Sequence, residues 1–349
     1  MSINLNCVST VAVMALMIGT GAVIAQDHSE LSAETYSASE FRADRFIGTL
    51  DIVVERRRDI QVSATGDAEY LDRLVVETES DALELTFDNP EGVWRDWNPR
   101  FRFFERREDR LDDFPVVTVR LPEGMPVNLD RITGQLSIGD LNGPVDVSSR
   151  GSLHGVVGDV TTADIVVAAS GNLELGDVAG ALDVLASGSS DFQAGSAQSA
   201  VARISGSSDM DLGSVAQGIE ISISGSGNMD VARVNGPIDF GLSGSGDLHI
   251  FAGEADHLNG GASGSGGVQF DGTAGGLDVA TTGSSDMRLA RVEGPVAVRT
   301  TGSGRIRIED GDASSFMVRT FGSGDVYFGG TARNTDISST GSGRVVVAQ

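Results

Sequence analysis

The chain carries four histidines, His28, His154, His249 and His257, and one cysteine, Cys7, against fifty carboxylates and 25 arginines; lysine is absent. None of the histidines falls in a His-x-x-x-His pair, so a zinc centre is not expected. Cys7 lies within residues 1–25, an N-terminal segment that reads as removable, which takes thiolate chemistry out of the mature protein. The carboxylates are more informative because they recur. After each Gly-Ser-Gly or Gly-Ser-Ser turn one position reads Asp191, Asp209, Asn228, Asp247, Gly267, Asp286, Arg305, Asp325, Arg344. Oxygen ligands stacked at Gly-rich corners are the chemistry of a calcium roll, which makes Asp191, Asp209, Asn228 and Asp247 calcium candidates. Such rolls repeat every nine residues, whereas this turn recurs about every nineteen, and Arg305 and Arg344 interrupt the column. The competing reading is that each Asp or Asn steadies the turn by bonding its own backbone.

A second group of candidates is aromatic. Between Asn89 and Phe114 lie Trp94, Trp97, Phe101, Phe103, Phe104 and Phe114, interleaved with Arg95, Arg100, Arg102, Arg106, Arg107 and Arg110. Trp, Phe and Arg are the usual anchors of binding surfaces, and Trp stacks on sugar rings. Trp94, Trp97, Phe101, Arg102, Phe103 and Phe104 are therefore binding-surface candidates. The alternative is a flap that covers an exposed strand edge. The same pattern would suit single-stranded nucleic acid, but a net charge of -25 opposes binding to phosphates, and nucleic acid is not expected as a partner.

The elements that position these residues follow from a repeat. The turn glycines Gly188, Gly206, Gly225, Gly244, Gly264, Gly283, Gly302, Gly322 and Gly341 stand 18 to 20 residues apart, with weaker copies at Gly171, Gly151 and Gly134. Each unit holds two short runs of alternating apolar residues, such as Ile238-Asp239-Phe240-Gly241-Leu242 and Leu248-His249-Ile250. Period-two alternation is strand periodicity. Units this small bury nothing alone and must stack. The expected fold is all-β, a parallel β-helix or β-solenoid with laps of about 19 residues. Expected inward positions are Ile219, Ile221, Ile223, Met229, Val231, Ile238, Phe240, Leu242, Leu248, Ile250, Met287, Leu289, Ile306 and Ile308. Stacking also predicts an outward column, Glu174, Gln193, Asp211, Asp230, His249, Gln269, Arg288, Arg307, Tyr327, grading from acid to base.

The rest of the chain divides accordingly. Residues 1–25 read as a signal peptide, with an uncharged run at 8–24 and Val23 and Ala25 at the cleavage positions, although no Lys or Arg precedes the run; the alternative is a retained anchor. No transmembrane span is expected after signal removal. Residues 26–44 are expected as a flexible N-terminal segment. Residues 45–122 form an N-terminal β region with the aromatic and Arg-rich insertion at 90–114, and 123–349 form the repeat solenoid.

The order of strand runs in the first half, with Val62-x-x-x-Gly66-Asp67-x-x-x-Leu71 among them and Leu121-Pro122 before the Gly-Ser-Gly laps, resembles the GIN-domain family of auto-transporter adhesin heads over residues 45–349. The resemblance implies a β-helix of exported bacterial proteins. It does not extend to a C-terminal membrane barrel. The expected function is a non-catalytic structural, adhesion-like or binding module in the periplasm, at the surface or outside the cell, with envelope polysaccharide or a surface protein as partner and no required cofactor. The alternative is a carbohydrate-active enzyme, a polysaccharide lyase or hydrolase on a β-helix scaffold. Oligomeric state is left open by the sequence.

Overall fold

The computed structural model of the chain describes residues 28–87 and 114–348, and the chain divides into two compact units, 1–157 and 158–349. Almost every described element is a strand; a single helical turn, Ala68–Leu71, is the exception.

Unit 158–349 is a parallel β-solenoid. A typical lap has three sides, as in Ile238–Gly244, Leu248–Ile250 and Gly253–Ala255. Each side pairs in parallel with the same side of the next lap: Ile238 stands opposite Leu258, and Leu248 opposite Val268. All fourteen expected inward side chains are buried, and Phe192, Phe270, Phe316 and Phe328 fill wider parts of the core. The rings of Phe316 and Phe328 stack at 5.1 Å.

The corner glycines are in register along the whole unit from Gly188 to Gly341, all with φ between +90° and +127°. At Gly244 a Cβ would also stand 2.2 Å from the carbonyl oxygen of Gly225. Left-handed backbone and a lap spacing of about 4.8 Å together exclude any side chain there. The weaker copies do not belong to this column. Gly171 pairs with Ser190, and Gly134 pairs with Gly48 and Leu153 on a strand.

Unit 1–157 contains laps out of chain order. The lap formed by Glu40–Asp44 and Ile47–Glu55 pairs in parallel on one side with Ala82–Phe87 and Val116–Pro122. On its other side it pairs with Val127–Asp130 and Thr133–Ile138. Ala82–Phe87 and Val116–Pro122 thus supply the neighbour outside the chain's first lap. Antiparallel strands border this lap: Ile60–Asp67 runs between His28–Tyr36 and Val116–Pro122, and Leu74–Glu79 forms a hairpin with Ala82–Phe87. Ser80 and Asp81, both at positive φ, make its tight turn.

The stretch 26–44, expected to be flexible, instead holds the paired strands His28–Tyr36 and Glu40–Asp44. Their strand state comes from distant partners rather than from an apolar pattern of their own, except for the buried Phe41 and Ala43. The Val62 to Leu71 motif also acquires a physical reason. Val62 and Leu71 are buried. Gly66 passes so close to Pro115 that a Cβ would lie 3.1 Å from its Cα. Asp67 caps the helical turn by accepting the Glu69 N–H at 3.0 Å. Phe114 is buried against Ile47 and Tyr70, its ring 4.9 Å from that of Tyr70.

Candidate functional site

The face of unit 158–349 that follows the Gly-Ser turns carries the expected outward column, and every step of it is realised in the strand register. Glu174 stands opposite Gln193, then Asp211, Asp230, His249, Gln269, Arg288, Arg307 and Tyr327. Parallel pairing without slippage is what places these side chains in one file, since a one-residue shift would turn each of them into the core.

The acidic end has no cation among the described residues paired with Asp211 or Asp230. Partial burial raises the Asp211 carboxyl above its ordinary pKa, and the charges of Asp230, Asp209 and Asp191 add to the shift. At the centre, His249 Nε2 lies 2.8 Å from Asp271 Oδ2, and Gln269 donates to both oxygens of the same carboxylate. Burial acts to raise the Asp271 pKa, but the hydrogen bonds from His249 and Gln269 prevail and hold it below the usual range. The exposed ring of Phe251 lies 3.7 Å from the His249 ring, centroid to centroid. At the basic end Glu309 receives Arg307 at 2.7 Å and Arg288 at 3.2 Å, and the Arg307 guanidinium sits over the Tyr327 ring at 4.5 Å. The hydrogen bond from Arg307, acting against burial, holds the Glu309 pKa low with help from the charges of Arg307 and Arg288.

A recess of about 610 Å³ lies on this face, lined by Asp230, His249, Gln269, Arg288, Arg305 and Arg307 among others. Gly267 opens it, because the turn column loses its side chain there between Asp247 and Asp286. Sequence reasoning identified the two columns but missed this notch. The signal was Gly267 standing where neighbouring laps have an acid or an amide.

The turn column itself has a structural task. Asp209 Oδ1 accepts the N–H of Asn228 at 2.8 Å, Asn228 Oδ1 that of Asp247 at 3.1 Å, and Asp247 Oδ1 that of Gly267 at 2.6 Å. Asp286 and Asp325 do the same for Arg305 and Arg344. The bonded backbone belongs to the next lap, not to the residue's own turn as the competing reading had it. Asp159 and Asp177 repeat the device at another corner, accepting from Asp177 and Ser196. Among the described residues no group of three or more His, Cys, Asp or Glu side chains is arranged to hold a metal ion. The binding-surface candidates Trp94, Trp97, Phe101, Arg102, Phe103 and Phe104 lie outside the described residues, as does the segment 1–25. Among the described residues no helix is long and apolar enough to cross a membrane.

Comparison with known proteins gives one family. Its model, described as "Putative auto-transporter adhesin, head GIN domain", matches residues 40–251. That match starts five residues earlier than the resemblance drawn above and ends inside the repeat. None of the curated proteins matches the chain. Among solved structures, an adhesin-titled protein from Parabacteroides distasonis is 14% identical, with 92% of this chain and 98% of that one covered and a TM-score of 0.31. A second adhesin-titled protein, from Parabacteroides merdae, is 13% identical over 91% and 96%, with a TM-score of 0.28. A third, from P. distasonis, is titled a lipid binding protein and is 14% identical over 93% and 96%, with a TM-score of 0.26.

Proposed function

We propose, on the premise that the chain belongs to the GIN-domain family, that it is an exported, non-catalytic, adhesion-like module. Its contact surface is the graded face of unit 158–349. The supporting observation is the column itself: ionised side chains stand in file on a strand face, and the acids Asp211 and Asp230 are left without a cationic partner among the described residues. A face that served only solubility would gain by mixing the signs, because like charges stacked directly in a sheet cost up to about 1 kcal/mol. Segregated charge suits a partner whose own charge is segregated. Envelope polysaccharide or a surface protein is the partner class, as the family's adhesin description suggests.

The test is co-sedimentation of the full chain with isolated envelope polysaccharide and with whole envelopes, with released reducing ends assayed in the same tubes. Neutralising the face with Asp211→Asn, Asp230→Asn, Arg288→Gln and Arg307→Gln is expected to cut retention about tenfold, the effect of losing about 1.4 kcal/mol. Unchanged retention of that variant, together with loss in Trp94→Ala/Trp97→Ala, would move the contact surface to the aromatic insertion. Release of reducing ends would replace the binding module by the polysaccharide-cleaving alternative.

A further inference from the structure

The order of charges on this face specifies a partner. Between Gln193 and Tyr327 the column reads Asp211, Asp230, His249, Gln269, Arg288, Arg307, one residue per lap. Counted inward from both ends, it matches Asp211 with Arg307, Asp230 with Arg288, and His249 with Gln269. Consider a two-fold axis lying in the plane of the face and crossing the column between His249 and Gln269. Rotation about it brings a second copy face to face, antiparallel along the stacking direction, with each column set against itself. Every acid of the column then meets an arginine, and the two neutral polar residues meet each other. In the neighbouring turn column the same axis sets Asp209 opposite Arg305 and Asp247 opposite the notch at Gly267, while Asn228 meets Asp286 and, one lap further out, Asp191 meets Asp325, so the charge match is carried by the outward column alone. Such a contact is isologous and closes after two subunits.

Three features make the match more than a reading of letters. The centres of the acidic and basic pairs are four laps apart, about 19 Å at 4.8 Å per lap. That exceeds the screening length of about 8–10 Å at physiological salt, so the two ends do not neutralise each other within one molecule. The basic end is only partly satisfied internally. Glu309 binds one edge of Arg288 and Arg307, whose side chains remain 61% and 53% exposed, and Arg305 has no acidic side-chain partner among the described residues. At the centre, exposed Phe251 adds an apolar surface beside the axis.

We propose that this face is a homotypic docking surface, on which a second copy of the chain binds antiparallel with Asp211 and Asp230 of each copy against Arg307 and Arg288 of the other. The inference rests on the reading of the face as a contact surface and names the partner.

Two charge-reversed forms of the full chain test it. Asp211→Arg/Asp230→Arg makes the column basic throughout, and Arg288→Glu/Arg307→Glu makes it acidic throughout. In sedimentation velocity the unaltered chain is expected to show a concentration-dependent dimer. Each reversed form alone is expected to lose at least about tenfold in dimer affinity, and their equimolar mixture to form a heterodimer. Circular dichroism checks that each form is folded. If a reversed form is not, the milder pairs Asp211→Asn/Asp230→Asn and Arg288→Gln/Arg307→Gln take its place. Each should weaken the dimer, and all four changes together should cost no more than the larger of the two pairs. An unaltered chain that stays monomeric, or a mixture that sediments as two independent components, overturns the inference. If envelope retention still falls in the neutralised variant, that result leaves the proposed function standing. A dimer that forms while retention is indifferent to the face sinks the proposed function and keeps the docking surface.

Discussion

Asp211 shows how a repeat sets the chemistry of a single side chain. Its raised pKa arises from partial burial and from three acids close to it, Asp230 and Asp191 on the laps beside it and Asp209 two residues earlier on its own strand. Because the folded pKa lies above the unfolded one, the ionised form opposes folding. That cost is present at neutral pH and is relieved as pH falls through the folded value, where the folded state takes up the proton. Asp211→Asn should therefore stabilise unit 158–349 at pH 7 by a few tenths of a kcal/mol. In melts run across the acid range the gain should shrink toward zero as the pH drops. A gain that grows on acidification would contradict this account. The alignment of Asp211 with its neighbours was legible in the sequence, because period and alternation fix the column. The hydrogen-bond partners of the turn acids were not. Asp209, Asn228 and Asp247 reach a backbone N–H about nineteen positions later, and a local reading of an Asp beside Gly assigns it to its own turn.

At the scale of elements, the corner and the flat side of a lap place opposite demands on glycine. Gly244→Ala puts a Cβ into the Gly225 carbonyl at a φ of +124°, and should cost about 3 kcal/mol or more or prevent folding. Gly241, three residues earlier on the same strand, would present its Cβ to open space. Gly241→Ala should be neutral or stabilising by up to about 1 kcal/mol, since it removes unfolded-state freedom at no steric cost. Chemical denaturation of both variants decides the point, and equal effects would deny the corner its special status. The corner column could be read from the sequence because no other residue type substitutes there over nine laps. The strands His28–Tyr36 and Glu40–Asp44 could not, because charged residues on short strands give no periodic signal and their partners lie 24 to 86 positions away.

For the whole molecule, a lap touches only the laps beside it, so stability in unit 158–349 is a sum of neighbouring contributions. Phe270, fully buried, should cost 3–5 kcal/mol when truncated to Ala. By hydrogen exchange the lost protection is expected to centre on Leu258–Gly283 and fade over a few laps in each direction. A uniform loss across the unit would mean that it opens as a single cooperative block. In unit 1–157 the sequence showed a series of strand-like runs but not how they pair. The order found there, with Ala82–Phe87 and Val116–Pro122 outside the lap of 40–55, depends on which strand pairs with which, and apolar alternation does not encode that.

That order has a kinetic side. Laps in the repeat close loops of about 19 residues, whereas Phe41 meets Val127 and Ile52 meets Val119, separations of 86 and 67 positions. By the logarithmic law for loop closure the longer of these costs about 1.3 kcal/mol more than one repeat lap. Assembly should therefore nucleate among the Gly-Ser laps and insert residues 40–55 late. Until then Val127–Asp130 and Thr133–Ile138 present bare backbone to whatever strand arrives first. A chain that emerges N-terminus first thus carries strands from near its beginning as the last part to be fitted.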